Sequence, residues 1–554
     1  MFPLLLLAAI CYPLYHTYCL LRNIQIARST GLPYLILPFN QYSLPWIVLG
    51  RALYPLLATL LPFFPRLRWI RPDWFWARKY AMYREVGADV FAMVSASGVF
   101  IVVCDADVVV DVLARKDDFP KPPVVHPGLD IYGRNVVTTS GAEWRRHRKV
   151  VTPHFGESYN RLAWTKGVEK TSELVKHWST RLLHETDGPV LRNVENDFIR
   201  LTMNITTHNM FGTNLRWPNR IAPSSQTDDG YDEDGPPNDE VLAPNHKMSY
   251  QASIKHMLNN CNMLMVAPSW YLKWTPNATH RKAGVACREL GVYLNEMGLT
   301  EQEVIGETFM LIFTGHATTA NALHNTITML AIYPEYQIKL QEDLDRILGD
   351  RVPEYENDYP ALAESWAGAI FHEINRLYPA LPLVPKFTPS PQYITVNGTK
   401  HLIPAHTPVL LDCCNTQRNP KYWVPPHETE AVAAPDEFRP QRWLNAPGES
   451  QNTNNPNGNF LKPYKGSYYP WSDGQRVCLG KKYSVVELLA IYAEVFRGHS
   501  VELDVGAGET WEEARGRAKR YMERVDAGLL LKTVGKEPGL RYVKRGEERF
   551  FPRR

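Results

Sequence analysis

The sequence lacks an excess of charge of either sign. Lys and Arg together number 61 against 58 Asp and Glu in 554 residues, so the formal net charge is +3. A chain so close to neutral has no strong electrostatic attraction to nucleic acid, and it does not have the composition of a disordered acidic protein. We therefore expect no nucleic-acid partner.

Cysteine is scarce, and its spacing is uninformative. The chain has 8 Cys, without the paired spacing of a zinc motif and far below the density of a secreted disulfide scaffold. Free thiols in a reducing compartment are the expectation. A free cysteine usually packs as a small buried hydrophobe, so chemistry at any one thiol needs support from elsewhere in the chain.

Long apolar runs are confined to the N-terminus. Residues 1–21 contain no Asp, Glu, Lys or Arg and as a helix would span about 31 Å, close to the hydrocarbon thickness of a bilayer. This predicts a transmembrane anchor, with a cleaved signal peptide as the alternative. Because Arg22 and Arg28 follow the run, the positive-inside rule leaves the rest of the chain in the cytosol. The apolar stretch 44–65, which contains Arg51 and four prolines, predicts contact with the membrane surface.

From about residue 72 the chain reads as globular. Its length alone suggests two to four domains, although one large fold at 72–554 is also possible, and a proline-containing linker at 22–71 would join this part to the anchor. Residues 223–239 are acidic and rich in proline and glycine, and residues 446–459 are of low complexity. Neither segment has enough apolar residues to contribute to a core, so both are predicted to be mobile surface loops.

The best-defined helix is predicted from Thr300 to Tyr333. Thr300 and Glu303 form a capping box, and Pro334 ends the helix. Its middle, FTGHATT, interrupts good helix formers with Gly315 and two threonines. Glycine costs about 1 kcal/mol relative to alanine there, and a threonine hydroxyl can bend the helix by bonding to the preceding turn. Taken alone, this is a notch for helix packing.

Four other motifs accompany this helix, and they are WRRHR at 144–148, EINR at 373–376, FRPQRW at 438–443 and WSDGQRVCLG at 471–480. Within EINR, a spacing of three places Glu373 and Arg376 on one helix face, where an ordinary ion pair is the simplest interpretation. The last motif sets Cys478 among an aromatic residue, an arginine and glycines, just before an apolar helical pattern. Together the five motifs occur in the order found in cytochrome P450 haem-thiolate monooxygenases, and the chain resembles that family over about residues 72–532.

The resemblance implies a mainly α, multihelical cytochrome P450 fold with a small β-rich subdomain. With its predicted single N-terminal transmembrane helix, the chain looks like a fungal member bound to the endoplasmic reticulum membrane, with the catalytic domain in the cytosol. The implied cofactor is haem b, whose iron Cys478 would ligate as a thiolate that favours O–O cleavage.

The resemblance also assigns the other cofactor contacts. Arg476, Trp144 and Arg148 would bind the haem propionates, and Lys386 is a weaker match for the same role. Backbone N–H groups from Leu479 and Gly480 onward would donate to the sulfur and tune its potential. The positions where the chain turns sharply or passes close to the porphyrin would be Gly474 and Gly480. Trp471 stands where the family usually has phenylalanine, and its indole N–H would donate to the sulfur and raise the haem potential.

On the other side of the haem, Gly315 would open a groove where dioxygen binds, and Thr318 would help to deliver protons. The family usually has Asp or Glu before this threonine, but this chain has Ala317. Turnover would then be slow or uncoupled, or a group of the substrate would replace the carboxylate. Glu373, Arg376 and Arg439 would form a structural ion network. The approach to Leu299 is shorter than usual for the family, either naturally or through a gene-model error.

The implied activity is insertion of one oxygen atom from dioxygen into a lipophilic small molecule. Segments that would line the pocket, such as 310–313 and 380–385, are largely apolar. Electrons would come from NADPH through cytochrome P450 reductase, with cytochrome b5 as a second candidate donor. Fungal secondary metabolism is the expected role, by analogy. Two alternatives stay open: a haem-thiolate enzyme that rearranges, dehydrates or uses peroxide, and a catalytically impaired haem-binding protein.

Overall fold

The computed structural model describes most of the chain, with gaps. The described residues are 2–40, 42–61, 63–122, 129–182, 190–211, 246–248, 252–253, 256–257, 260, 263–264, 267–296, 302–425, 428–444, 460–527 and 530–550. The two predicted mobile loops, at 223–239 and 446–459, lie outside these residues.

Helices make up most of the described structure, as the resemblance implied. They are α1 Phe2–Ser29, α2 Leu44–Leu60, α3 Trp74–Ala77, α4 Ala81–Val86, α5 Ala106–Ala114, α6 Gly141–Val151, α7 Glu157–Leu182, α8 Val194–Phe211, α9 Ser269–Trp274, α10 Ala278–Glu296, α11 Gln302–Ile332, α12 Pro334–Leu348, α13 Tyr355–Ala363, α14 Trp366–Leu377, α15 Cys413–Thr416, α16 Pro420–Trp423, α17 Glu430–Ala433, α18 Lys481–Arg497 and α19 Trp511–Met522. Short 3-10 turns lie at Pro65–Ile70, Thr152–Phe155, Pro440–Trp443 and Gly474–Arg476.

The strands form small sheets beside the helices. They are β1 Tyr34–Ile36, β2 Val90–Ser95, β3 Gly98–Val103, β4 Val190–Leu191, β5 Leu383–Phe387, β6 Gln392–Val396, β7 Thr399–Ile403, β8 Pro408–Asp412, β9 His499–Leu503, β10 Val525–Ala527, β11 Leu531–Thr533 and β12 Leu540–Lys544. The largest sheet has the order β1-β2-β3-β8-β5, and a second has the order β4-β12-β9. In the first sheet β3 pairs with β8 in parallel, which aligns Val102 with Leu410. This pairing brings chain segments about 300 residues apart into one layer.

The N-terminal helix differs from its prediction. α1 continues past residue 21 to Ser29 and includes Pro13, and its last turns lie on the first sheet, where the Asn23 side chain donates to the carbonyls of Ser95 (2.8 Å) and Ala96 (3.1 Å). Tyrosine, histidine and asparagine side chains lower the hydropathy of this helix. No helix in the described part of the chain is long and apolar enough to cross a membrane, so the predicted single transmembrane helix at 1–21 finds no support. The domain boundary at residue 72 stays a prediction.

Four long helices form the centre of the main core. α11 packs along α8, and α18 packs along α7, which in turn contacts α8. At 31 residues, α11 is about 46 Å long and is buried over most of its second half. The predicted helix is thereby confirmed, and Pro334 begins α12 where α11 ends. Thr300 lies outside the described residues, and the Glu303 carboxylate binds Arg146.

Local sequence explains the start of α5. Asp105 precedes it with an extended backbone, and its carboxylate accepts hydrogen bonds from the backbone N–H groups of Asp107 and Val108, both at 3.1 Å. Such a cap satisfies donors that have no partner within the helix. Asp105 is therefore the N-cap of α5.

Candidate active site

The loop that carries Cys478 lies between the 3-10 turn Gly474–Arg476 and the start of α18. The Cys478 N–H donates to the carbonyl of Trp471 at 3.0 Å, and Gly480 is the N-cap of α18. The cysteine is solvent-exposed, yet enough protein surrounds the thiol that burial raises its pKa. The N–H of Gly480, then Arg148, lower that pKa. The backbone N–H at the start of α18 and the nearby cations therefore favour the thiolate and partly offset the cost of burying it.

Gly474 and Gly480 have different structural roles in this loop. Gly474 has a φ of +68°, and a Cβ there would lie 2.7 Å from the carbonyl oxygen of Leu113 in α5. Only glycine fits that turn and that close approach. At Gly480 a Cβ would lie 3.9 Å from the sulfur of Cys478, so a side chain would extend beside the thiol. Gly474 thus sets the loop against α5, and Gly480 keeps the space beside the sulfur free.

Cations gather near the thiol around one indole ring. The guanidinium carbon of Arg476 lies 4.1 Å from the centroid of Trp144, and that of Arg148 lies 5.4 Å from it. Arg476 Nη2 donates to the carbonyl of Thr139 at 2.9 Å. Arg476 Nη1 is buried, with no hydrogen-bond partner among the described residues. A buried charged donor left unpaired is costly, so the site suits an anionic ligand.

Two lysines belong to the same cluster. Lys386, on β5, is 3% exposed, and burial, followed by the charge of Arg476, lowers its pKa to about 8. Lys121 donates to the carbonyl of Val137 at 2.9 Å, and burial, then Arg476 and Lys386, lower its pKa to about 7. Burial, then Arg148, lowers the pKa of Arg476 to about 10. Lys386 is buried and Lys121 and Arg476 are partly buried, and carboxylates bound among such mutually repelling cations would stabilise them.

Lys121 is the member of this cluster that the sequence did not reveal. It lies between prolines in the segment after α5, far along the chain from Arg476 and Lys386. Only tertiary folding brings the three together, so no local spacing could have identified it.

Trp471 does not make the predicted contact with sulfur. Its indole Nε1–H donates to the hydroxyl of Ser484 on α18 at 3.2 Å. The ring stacks on Phe371 at a centroid distance of 5.6 Å, and this packing turns the N–H toward α18. The prediction of an N–H···S bond from Trp471 is therefore wrong, although the indole does pack in the loop that carries the thiol.

The predicted ion network exists, with one arginine corrected. The Glu373 carboxylate accepts two 2.8 Å hydrogen bonds from Arg376 and one of 2.9 Å from Arg442 Nε. Arg439 reaches Glu373 only through its backbone N–H at 2.9 Å, and its side chain pairs with Glu437. Burial alone would raise the pKa of Glu373, but Arg376 and Arg442 hold it at about 2. This buried network ties α14 to the turn Pro440–Trp443.

The residues predicted to act on dioxygen, Gly315 and Thr318, lie in the middle of α11. The Thr318 hydroxyl donates to the carbonyl of Thr314 at 2.9 Å, and the Thr314 hydroxyl donates to that of Met310 at 2.7 Å. A Cβ at Gly315 would lie 3.3 Å from Thr206 Cγ2 on α8, so glycine lets the two helices approach closely. The predicted roles of Gly315 and Thr318 toward dioxygen stay predictions. Ala317 is buried and supplies no carboxylate.

These residues fit a haem. Cys478 would be the axial ligand of the iron, and the basic cluster of Arg476, Arg148, Lys386 and Lys121, with the Trp144 indole, would bind the two propionates. When bound, the haem supplies the chemistry of dioxygen activation and electron transfer. The helical fold and this site together define the protein as a haem-thiolate protein.

Comparison with known proteins gives the family. The family model described as Cytochrome P450 matches residues 55–515, and the chain belongs to this family of haem-thiolate monooxygenases. A cytochrome P450 monooxygenase of Arthrobotrys oligospora is 23% identical, covering 92% of this chain and 92% of its own. The phomenoic acid biosynthesis cluster cytochrome P450 monooxygenase of Leptosphaeria maculans is 24% identical, covering 94% and 95%. The heme domain of a cytochrome P450DA mutant shares the fold, with a TM-score of 0.61 and 18% identity over 84% of this chain and 92% of its own.

Proposed function

We propose that this enzyme inserts one oxygen atom from dioxygen into a lipophilic small molecule, with electrons from NADPH delivered by a reductase. The observation that carries the proposal is the site itself, an accessible thiol at the start of α18 beside a basic cluster that suits two carboxylates. Its residues hold and orient the cofactor, and α11 lies on the side where the substrate would bind.

We propose fungal secondary metabolism as its role. Relatives that cover nearly the whole chain come from fungi, and one is named for the biosynthesis cluster of phomenoic acid. Apolar segments near α11 and β5 suit a lipophilic substrate. The identity of the substrate is open to product analysis.

An acidic redox partner suits the exposed cations near the Cys478 loop. Arg145 and Lys149 on α6 and Lys481 on α18 are exposed, whereas Lys482 pairs with Glu157. A face of this sign attracts a negatively charged partner and speeds its association. We take cytochrome P450 reductase as the main donor and cytochrome b5 as a second.

Contact with the endoplasmic reticulum membrane is supported by α2. Leu49, Leu53, Leu56 and Leu60 are exposed and recur at helical spacing, so they share one face. Such a face suits insertion into the interfacial region of a bilayer. Flotation of the protein with liposomes, compared with a variant in which these four leucines are replaced by serine, tests this part of the proposal.

A second candidate activity is peroxide use or rearrangement without a reductase. Ala317 favours it, because α11 carries no carboxylate next to Thr318 to assist proton delivery. This alternative predicts turnover with hydrogen peroxide, or with no oxidant, that a reductase does not increase.

The deciding experiment is expression with a reductase, followed by product analysis on extracts of the producing cells. Incorporation of label from ¹⁸O₂, coupled to NADPH consumption, is the expected result. Products formed without label or reductase would favour the second candidate. If the reduced, carbon-monoxide-bound protein lacks the red-shifted Soret band of thiolate-ligated haem, both proposed activities are ruled out.

A further inference from the structure

Three ligand-type side chains converge on the face of α6 that meets the start of α11. Glu143 and His147 lie one turn apart on α6, and Glu303 lies in the first turn of α11. One ligand atom from each lies within 4.8 Å of the other two, and His147 Nε2 is 3.9 Å from a Glu303 oxygen. None of the three takes part in the haem site described above.

The imidazole of His147 is buried and held in orientation. It is 4% exposed, and its Nδ1 lies 2.6 Å from a carboxylate oxygen of Glu307, one turn further along α11. With the ring N–H on Nδ1 donated to Glu307, Nε2 keeps a free lone pair, and it lies 3.9 Å from a carboxylate oxygen of Glu303. A histidine whose second nitrogen is bound by a carboxylate is the usual arrangement of a metal ligand.

Cationic side chains already lie against this group. Arg146 contacts the Glu303 carboxylate at 2.7 and 2.8 Å and lies 3.5 Å from His147 Nε2, while Arg134 pairs with Glu143 at 2.8 Å. Both arginine side chains are more than half exposed, at 57% and 58%. Exposed ion pairs of this kind are worth little, so the arginines can move away and leave two carboxylates and one imidazole to a metal ion.

We propose that Glu143, His147 and Glu303 bind a divalent transition-metal ion, zinc in the first instance, with Glu307 as a positioning residue for His147. Imidazole nitrogen with carboxylate oxygen suits zinc, whereas calcium and magnesium prefer oxygen ligands alone. Three protein ligands leave a fourth position for water. The ion links α6, which carries Trp144 and Arg148, to the start of α11, and it is separate from the haem iron.

The test is zinc binding to the haem-loaded full chain, measured by competition with a chromophoric chelator. Wild type is expected to bind zinc, and Glu303→Gln and His147→Gln are each expected to weaken that binding at least tenfold. Glu307→Gln should weaken it about 10–100-fold, as loss of a partner that orients a ligand does. Glu356→Gln is the matched control, because it removes a glutamate from another exposed arginine pair, with Arg161, and should leave zinc binding unchanged.

Arg146→Ala should change the zinc affinity in the opposite direction. Loss of folding cannot explain a gain in affinity, so this variant tests the site independently of the others. Removing the competing guanidinium frees Glu303, so zinc should bind several-fold more tightly. Equal zinc affinity in wild type, Arg146→Ala and Glu303→Gln overturns the proposal, as does the absence of zinc binding by wild type.

The ligand type separates this site from zinc held by cysteine. Zinc K-edge absorption on the wild-type complex should show nitrogen and oxygen ligands at about 2.0–2.2 Å. A sulfur shell at about 2.3 Å would assign the ion to thiols and overturn the proposal.

Discussion

The guanidinium of Arg476 lies over the indole ring of Trp144, with 4.1 Å between the guanidinium carbon and the ring centroid. This contact joins the Cys478 loop to α6, so the thiol expected to ligate the iron and the cations expected to bind the propionates belong to one connected unit. It also leaves Arg476 Nη1 buried without a partner among the described residues. The protein therefore carries a structural cost that an anionic cofactor relieves.

Lys121 makes that cost measurable. Its pKa of about 7 in the folded protein, against an ordinary 10.5, means that folding disfavours the charged lysine. The penalty is full below pH 7 and is relieved as the pH rises from about 7 toward 10.5. One pKa unit corresponds to about 1.4 kcal/mol, but Lys121 is only partly buried and also donates to the carbonyl of Val137. Lys121→Met should therefore raise the free energy of unfolding of the haem-free protein at pH 6 by less than the full shift implies, roughly 1–2 kcal/mol. Urea denaturation at pH 6 and pH 10 measures the effect.

The same substitution should have the opposite effect on haem. Without the lysine, haem transfer to apomyoglobin should become faster, because a propionate loses a cation. Lys149→Met, on the exposed face of α6, is the control and should change neither quantity. A lower free energy of unfolding of the haem-free Lys121→Met protein, together with unchanged haem transfer, would show that Lys121 is only a structural residue.

Trp471 should tune stability rather than potential. Its N–H donates to Ser484, so Trp471→Phe should leave the haem reduction potential unchanged while it costs about 1 kcal/mol of stability for the lost hydrogen bond. Ser484→Ala should cost a similar amount, and the double variant should cost less than the sum of the two. A clear fall in potential in redox titration of Trp471→Phe, with none in Ser484→Ala, would restore a direct bond to sulfur.

The sequence correctly predicted the elements that depend on interactions between residues close together in the chain. α11 followed from its helix-forming pattern and from Pro334 at its end, whereas its predicted capping box involves Thr300, which lies outside the described residues. The Cys478 loop at the start of a helix was predicted in the same way. In each of these, the residues that decide the structure lie within a few positions of one another.

The wrong or missing predictions concern side chains whose partners are determined by packing between distant parts of the chain. Arg439 and Arg442 are three positions apart, and only the turn Pro440–Trp443 shows that Arg442 faces Glu373. The direction of the Trp471 indole depends on stacking against Phe371, about 100 residues earlier. Lys121 reaches the cation cluster by tertiary folding alone. Charge and residue type identified the kind of site, but they could not identify which side chain completes it.

The Glu373 network should contribute strongly to the stability of the protein in acid. The folded pKa of Glu373 is about 2, below its ordinary 4.5, so its contribution is present above pH 4.5 and is lost as the pH falls toward 2. Glu373→Gln leaves Arg376 buried without its counter-charge and should cost about 3–5 kcal/mol. Arg439→Ala should cost below about 1 kcal/mol, because its side-chain ion pair is on the surface. If urea denaturation shows equal losses of stability in the two variants, the Arg439 side chain contributes to the buried network as Glu373 does. That result would contradict the assignment of this role to Arg442 in place of Arg439.

Glu487 should give the reverse pH dependence. It lies on α18, is buried, and neither carboxylate oxygen has a hydrogen-bond partner among the described residues. Burial raises its pKa well above the ordinary 4.5, so a penalty for ionisation appears as the pH rises above 4.5 and grows until the pH passes the folded pKa. Glu487→Gln cannot ionise, so it should be more stable than the wild type at pH 8 by at least about 1.4 kcal/mol, the equivalent of one pKa unit, and should change the stability little at pH 4.5. Thermal unfolding at the two pH values measures this, with the exposed Glu512→Gln as control. A uniform loss of stability in Glu487→Gln at both pH values would instead mean that the carboxylate is paired in solution.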